Sequence, residues 1–202
     1  MRGTTKPNLA WLGEAWQGEE TMYKVEAEIR GVSPLFQNRF GVEAANDIEG
    51  VIKGRKRDDR PPEEIAKGKL YLNGNNICCH PGDAIRSALA DGGGDLRKVK
   101  TSTWKKDLKG SVQIMPPMIP IQPQKWTVDS RRAVNPNTRG AVIAHRPRFD
   151  EWSLAFELIV TNDEIPIQVV KEALARGGIR IGIGDARVIG YGRFNVVKFE
   201  KK

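Results

Sequence analysis

The chain has 202 residues, 39% hydrophobic and 29% charged, a soluble globular composition with enough apolar material for one packed domain. Its 33 Lys and Arg against 25 Asp and Glu give a net charge of +8 and a pI near 9.6, which favours a polyanionic partner whose phosphates basic side chains can neutralise. No apolar run is long enough to cross a membrane, and the opening MRGTTKPNLAWLGEAWQGEE lacks the apolar stretch of a secretory signal, so the expected compartment is the cytoplasm.

Residues 1–21, polar apart from Trp11 and Trp16 among others, read as an N-terminal arm, and residues 22–202 as a single domain. In MYKVEAEIRG the apolar Tyr23, Val25, Ala27 and Ile29 alternate with charged residues, which predicts a half-buried strand over 22–30. Residues 31–67 are irregular, and the run KGRKRDDRPPEE reads as a long exposed excursion that either is solvated or touches nucleic acid. At its start, Phe36, Arg39 and Phe40 in SPLFQNRF read first as packing at the strand's end and second as a place where a base could stack.

KLYLN reads as a short strand. Pro81, Gly82 and Asp83 open a helix over 81–91, with Ala84, Ile85, Ala88 and Leu89 as its apolar stripe and Gly92, Gly93 and Gly94 as its stop. Cys78 and Cys79 are adjacent, which strains a disulfide, and CCH with His80 lacks the ligand spacing of a zinc site; His145 is the only other histidine. Buried thiols are expected, with no metal and no cofactor.

The segment DLRKVKTSTWKKDLKG sets Arg97, Lys98, Lys100, Lys105, Lys106 and Lys109 around Trp104. A strand over 111–115 follows, and prolines at 116, 117, 120 and 123 then force an extended path. Residues 125–148 carry Arg131, Arg132, Arg139, Arg146 and Arg148 on two β-compatible runs joined by NPNTRG, a protruding hairpin. Its arginines are either solvated or bound to phosphates, with Trp126 or Val134 as a wedge at a distorted base step. FDEWSLAFELIV alternates as a strand over 152–160. Asn162 and Asp163 offer caps to a helix over 165–176 ending at Gly177, and a last strand spans 193–200.

The order is β-α-β-β-α-β. It predicts an α+β, ferredoxin-like or RRM-like fold: a four-stranded antiparallel sheet with two helices, a long insert after the first strand and a thumb-like hairpin between the central strands. Between the second helix and the last strand lies GGIRIGIGDARVIGYGRF. Its Gly182, Gly184, Gly190 and Gly192 allow positive φ and close approach of a nucleic acid to the backbone. Arg180, Arg187 and Arg193 would contact phosphates, and Tyr191 would stack on a base. The plain alternative is a structural loop with arginines for solubility.

The stretch GIGDARVIGYGRF resembles the glycine-rich loop, ending in G-x-G-R and an aromatic, of the repeat-associated mysterious proteins, the RAMP superfamily of CRISPR effector complexes. GKLYLNGNNICCHPGDAIRSAL is similar to that family's strand-turn-helix segment, with Arg86 at its basic helix position, although HPGD replaces the usual second glycine-rich turn. The resemblance is to the backbone subunits that polymerise along guide RNA, whose thumb would be residues 116–150, and to uncharacterised phage and prophage relatives. It implies single-stranded RNA or DNA as partner, a homo-oligomer or ribonucleoprotein subunit, and a role in antiviral defence.

Some relatives cleave RNA, the processing members often through a histidine as general acid or base and some backbone members through an aspartate in the insert after the first strand; the enzyme alternative here is a metal-independent endoribonuclease with His145 or His80. His145, His80 and Asp47, with Asp58 and Asp59, are the corresponding candidates, none in a close motif match. The third alternative is a phage-type assembly or interaction protein that binds only protein.

Overall fold

Alternation of Val25, Ala27 and Ile29 with charged neighbours produces β1 (Tyr23–Gly31), buried on one face, in a computed structural model that describes residues 22–40, 60–134 and 141–202. In chain order there follow β2 (Leu35–Phe36), α1 (Pro62–Lys67), β3 (Cys79–Pro81), α2 (Gly82–Gly92), β4 (Arg97–Val99), β5 (Ser102–Thr103), α3 (Lys105–Ser111), β6 (Val112–Met115), β7 (Met118–Pro120), β8 (Thr127–Val134), β9 (Ala141–Phe149), β10 (Ser153–Val160), α4 (Ile167–Arg176) and β11 (Phe194–Lys201). The chain is thus α+β, with antiparallel sheets and four helices among the described residues.

The main sheet runs β11-β1-β10-β6, antiparallel at every step. Its register sets Val25 opposite Leu158, Ala27 opposite Phe156 and Ile29 opposite Leu154, so one face is continuously apolar. Ile85, Ala88 and Leu89 of α2 and Val170, Ala173 and Leu174 of α4 join that face in one core. The helices cross with almost no side chain between them. A Cβ on Gly92 would lie 2.1 Å from the Ala173 carbonyl oxygen, and one on Gly177 would lie 2.3 Å from that of Ala88. The glycines expected to stop the helices therefore act as contact points, and the backbone continues through them into a 3-10 turn at 93–95 and a π-turn at 177–181.

The opposite face of the sheet carries an ion lattice. Lys202 pairs with Glu26 at 2.9 Å and Glu157 at 2.8 Å, and Lys198 pairs with Glu26 at 3.0 Å and Glu200 at 3.2 Å. Hydrogen bonds from Lys202 and then Lys198 hold the Glu26 carboxyl at about 2.

Three elements differ from the sequence expectation. KLYLN forms no strand; Leu72 makes only an isolated bridge to Cys78. The insert holds α1, with Pro62 in its first turn beside Glu63 and Glu64 and with Ala66 buried, a start signal hidden in a run that reads as loop. The basic segment after α2, to which the sequence pattern assigns no element, folds as the β4–β5 ribbon and α3. The expected hairpin is present as β8 and β9, paired from Thr127 opposite Arg148 to Val134 opposite Ala141, and β2 adds to its other edge. Cys78 and Cys79 are free and buried, and burial pushes both thiols up. The expected N-terminal arm, Asp47, Asp58, Asp59 and Arg139 lie outside the described residues.

Candidate nucleic-acid interface

The glycine-rich loop is fastened by its own backbone. Gly192, at φ +68°, donates to the Pro34 carbonyl at 2.9 Å and accepts from the Ile183 N–H at 2.9 Å; a Cβ there would fall 1.8 Å from the Ile183 oxygen. Gly184, at φ +79°, presses against β2, where a Cβ would lie 2.5 Å from the Phe36 oxygen, and the next residue, Asp185, donates its N–H to that oxygen at 2.9 Å. A Cβ on Gly182 would meet Gly192 O at 2.8 Å. The backbone approach expected for a nucleic acid is taken at these three positions by the protein itself. Gly190 alone of the four has open space beside it.

The base of the β8–β9 hairpin meets this loop across β2. The buried Phe36 ring packs on Tyr191 with centroids 4.5 Å apart. Arg131 of β8 covers both rings, 5.2 Å from Phe36 and 4.8 Å from Tyr191, and its Nη1 donates to the Tyr191 hydroxyl at 2.5 Å. Its Nε reaches the buried Asp129 at 2.9 Å. A second tie joins Arg146 of β9 to Asp185 of the loop at 2.9 Å. Ser33 completes the frame: its hydroxyl donates to the Gly190 carbonyl at 3.0 Å and accepts from the Arg193 N–H at 2.9 Å.

The predicted cations therefore divide. Arg131, Arg146 and Arg148 are engaged with Asp129, Asp185 and Asp150, Arg148 reaching Asp150 at 2.5 Å. Arg180 turns away to an ion pair with Asp95, just beyond α2. Arg193 folds back so that Nη2 donates to the Arg187 carbonyl at 3.2 Å, while its Nη1 is buried without a partner. Arg132 and Arg187 are exposed and have no side-chain hydrogen bond or ion pair among the described residues. Elsewhere, Arg86 pairs with Asp83 at 3.2 Å and Lys105 with Asp91 at 2.9 Å, both on the helical side, and Lys106 is exposed with no side-chain partner among the described residues.

Other candidates are repositioned. Tyr191 gives its ring to Phe36 and Arg131 rather than presenting it openly. Trp126 packs against the core, which removes it as a wedge. His80 is 2% exposed with both ring nitrogens unpartnered among the described residues, and burial lowers it to about 4; it has no access to an RNA 2′-hydroxyl. His145 accepts or donates a hydrogen bond at 2.7 Å with Ser130 on the hairpin surface. Sequence reasoning missed Asp129, Asp185 and Ser33. The signal for Asp129 was an acid two residues from an arginine, in DSR, which a count of cations passes over; the same spacing in DAR misleads, because Asp185 pairs with Arg146 of the hairpin and not with Arg187.

No family model and no curated protein matches the chain. Among solved structures, 103 chains are similar. One belongs to the cryo-EM structure of the Type III-B Cmr-beta bound to cognate target RNA, with a TM-score of 0.51 and 12% identity. The match covers 89% of this chain and 60% of that one, so this chain spans well under two thirds of that subunit's length. At this identity the likeness is one of fold.

Proposed function

We propose that the chain is a RAMP-type subunit that binds single-stranded RNA along the face formed by the glycine-rich loop, β2 and the base of the β8–β9 hairpin. The strand order β11-β1-β10-β6, with α2 and α4 in the two crossovers, supports a ferredoxin-like body. The similar fold of a chain in an RNA-bound ribonucleoprotein supports a place in such an assembly.

One observation carries the reading. The loop and the hairpin converge on Arg131, and on these two tied elements Arg132 and Arg187 are exposed with no side-chain partner among the described residues. An exposed guanidinium without a carboxylate partner is free to take a phosphate bidentately. Because Phe36 is buried and Tyr191 is held by Arg131, recognition is electrostatic and tolerant of sequence, with little base stacking. The open sheet face is unsuited to the same ligand: it presents Glu26, Glu157 and Glu200 in its ion lattice.

The test is the salt dependence of affinity for a labelled single-stranded RNA. Loss of two phosphate contacts in Arg132→Ala/Arg187→Ala reduces the slope of log K against log salt by about 1.4, at about 0.7 per contact for single strands. An unchanged slope and affinity in that variant overturn the proposal.

A further inference from the structure

A second concentration of charge lies on the helical side of the molecule. Residues 97–109 hold six basic residues against one acid, Asp107. The fold sets four of them around an open groove of about 620 Å³ between the β4–β5 ribbon and α3, lined by Lys98, Lys105, Lys106 and Lys109 together with Asp107 and Thr103 among others. α3 packs on α2 and the 93–95 turn, whereas the glycine-rich loop docks on β2 and the hairpin.

Helix α3 is poorly built for its own stability. Lys105 and Lys109 stand at i, i+4 and Lys106 and Lys109 at i, i+3, spacings at which like charges repel by a few tenths of a kcal/mol. Two of the groove's cations are relieved: Lys105 by Asp91 at 2.9 Å and Lys98 by Asp107 at 3.3 Å. Lys106 and Lys109 are exposed and have no side-chain partner among the described residues. The groove thus offers the ammonium groups of Lys106 and Lys109, the chemistry that receives phosphate oxygens, while the Ser102 hydroxyl is already given to the Val99 carbonyl at 3.0 Å. It offers no platform for a base: the Trp104 ring is part-buried, with the Lys98 ammonium 4.8 Å from its centroid.

We infer that this groove is a second phosphate-backbone site, independent of the loop face, so that one chain holds two separate segments of single-stranded nucleic acid. The inference uses none of the residues of the proposed loop site, and its failure is separable from that of the loop reading.

The experiment counts bound ligands. A short oligouridylate of about six nucleotides, within the range of a single-strand site, is titrated at low salt into the full chain and bound molecules are counted by native mass spectrometry. Wild-type protein binds two. Lys106→Glu/Lys109→Glu, which alters only exposed unpaired side chains, binds one, and Lys106→Gln/Lys109→Gln weakens the same event; circular dichroism checks that both fold. Arg132→Ala/Arg187→Ala retains the groove event. Equal stoichiometry and affinity in wild type and both lysine variants overturn the inference. Loss of one molecule in the lysine variants, with no effect of the arginine variant, upholds the groove and removes the loop site instead.

Discussion

Arg131 of the hairpin and Arg187 of the glycine-rich loop use their charge differently. Arg131 is enclosed by Asp129, Tyr191 and the two aromatic rings, so its charge is spent on joining hairpin to loop; Arg187 has no such partners. Among residues of one type, the neighbours decide which bind and which brace, and the sequence shows the type alone. His80 makes the same point for titration. Its folded-state value of about 4 lies below the ordinary 6.5, because burial disfavours the charged ring. The group therefore adds stability above pH 6.5, and that contribution is lost as pH falls through 6.5 towards 4, since the unfolded chain takes up the proton first. The full loss is about 3 kcal/mol at about 1.4 kcal/mol per unit. Urea midpoints measured from pH 7 to 4 should fall more steeply for wild type than for His80→Leu; parallel curves would show that the ring is not buried neutral.

At the scale of elements, the glycines separate into those that permit contact and those that do not matter. Gly92 sits where α2 meets α4, and any Cβ there strikes the Ala173 carbonyl. Gly110 lies in α3 with nothing within 4 Å of such a Cβ. Gly92→Ala should destabilise by about 1–3 kcal/mol through overpacking, even though alanine favours the helix by about 1 kcal/mol. Gly110→Ala should stabilise by about 0.5–1 kcal/mol. Chemical denaturation reads both, and two changes of the same sign would refute the close crossing. Elements with regular periodicity were legible beforehand: β1, β10, β11, α2 and α4 follow the alternation and the apolar stripes to within two residues. The short pieces α1, α3, β3 and β7 were not, because too few residues carry a period and their stability comes from what they pack against.

Among the described residues, charge is partitioned by surface. The open sheet face neutralises its lysines with glutamates, while the loop face and the groove beside α3 retain cations with no partner among those residues. Protein purified at low ionic strength should carry nucleic acid, seen as raised absorbance at 260 nm, and release it in about 1 M salt, where screening acts over about 3 Å. Preparations free of nucleic acid at low salt, with no affinity for added RNA, would argue for an interaction protein that binds only other proteins.

From the residue string alone came the class of the chain, the alternating strands and striped helices, the excess of positive charge and the position of the glycine-rich loop before the last strand. These depend on local period and composition, which neighbours in sequence carry. Tertiary structure alone decided that three of the loop's glycines serve the protein's own backbone, that Arg131 is a brace and that His80 is buried. Each of these depends on groups far apart in the chain coming within a few ångströms, a distance that no local pattern encodes.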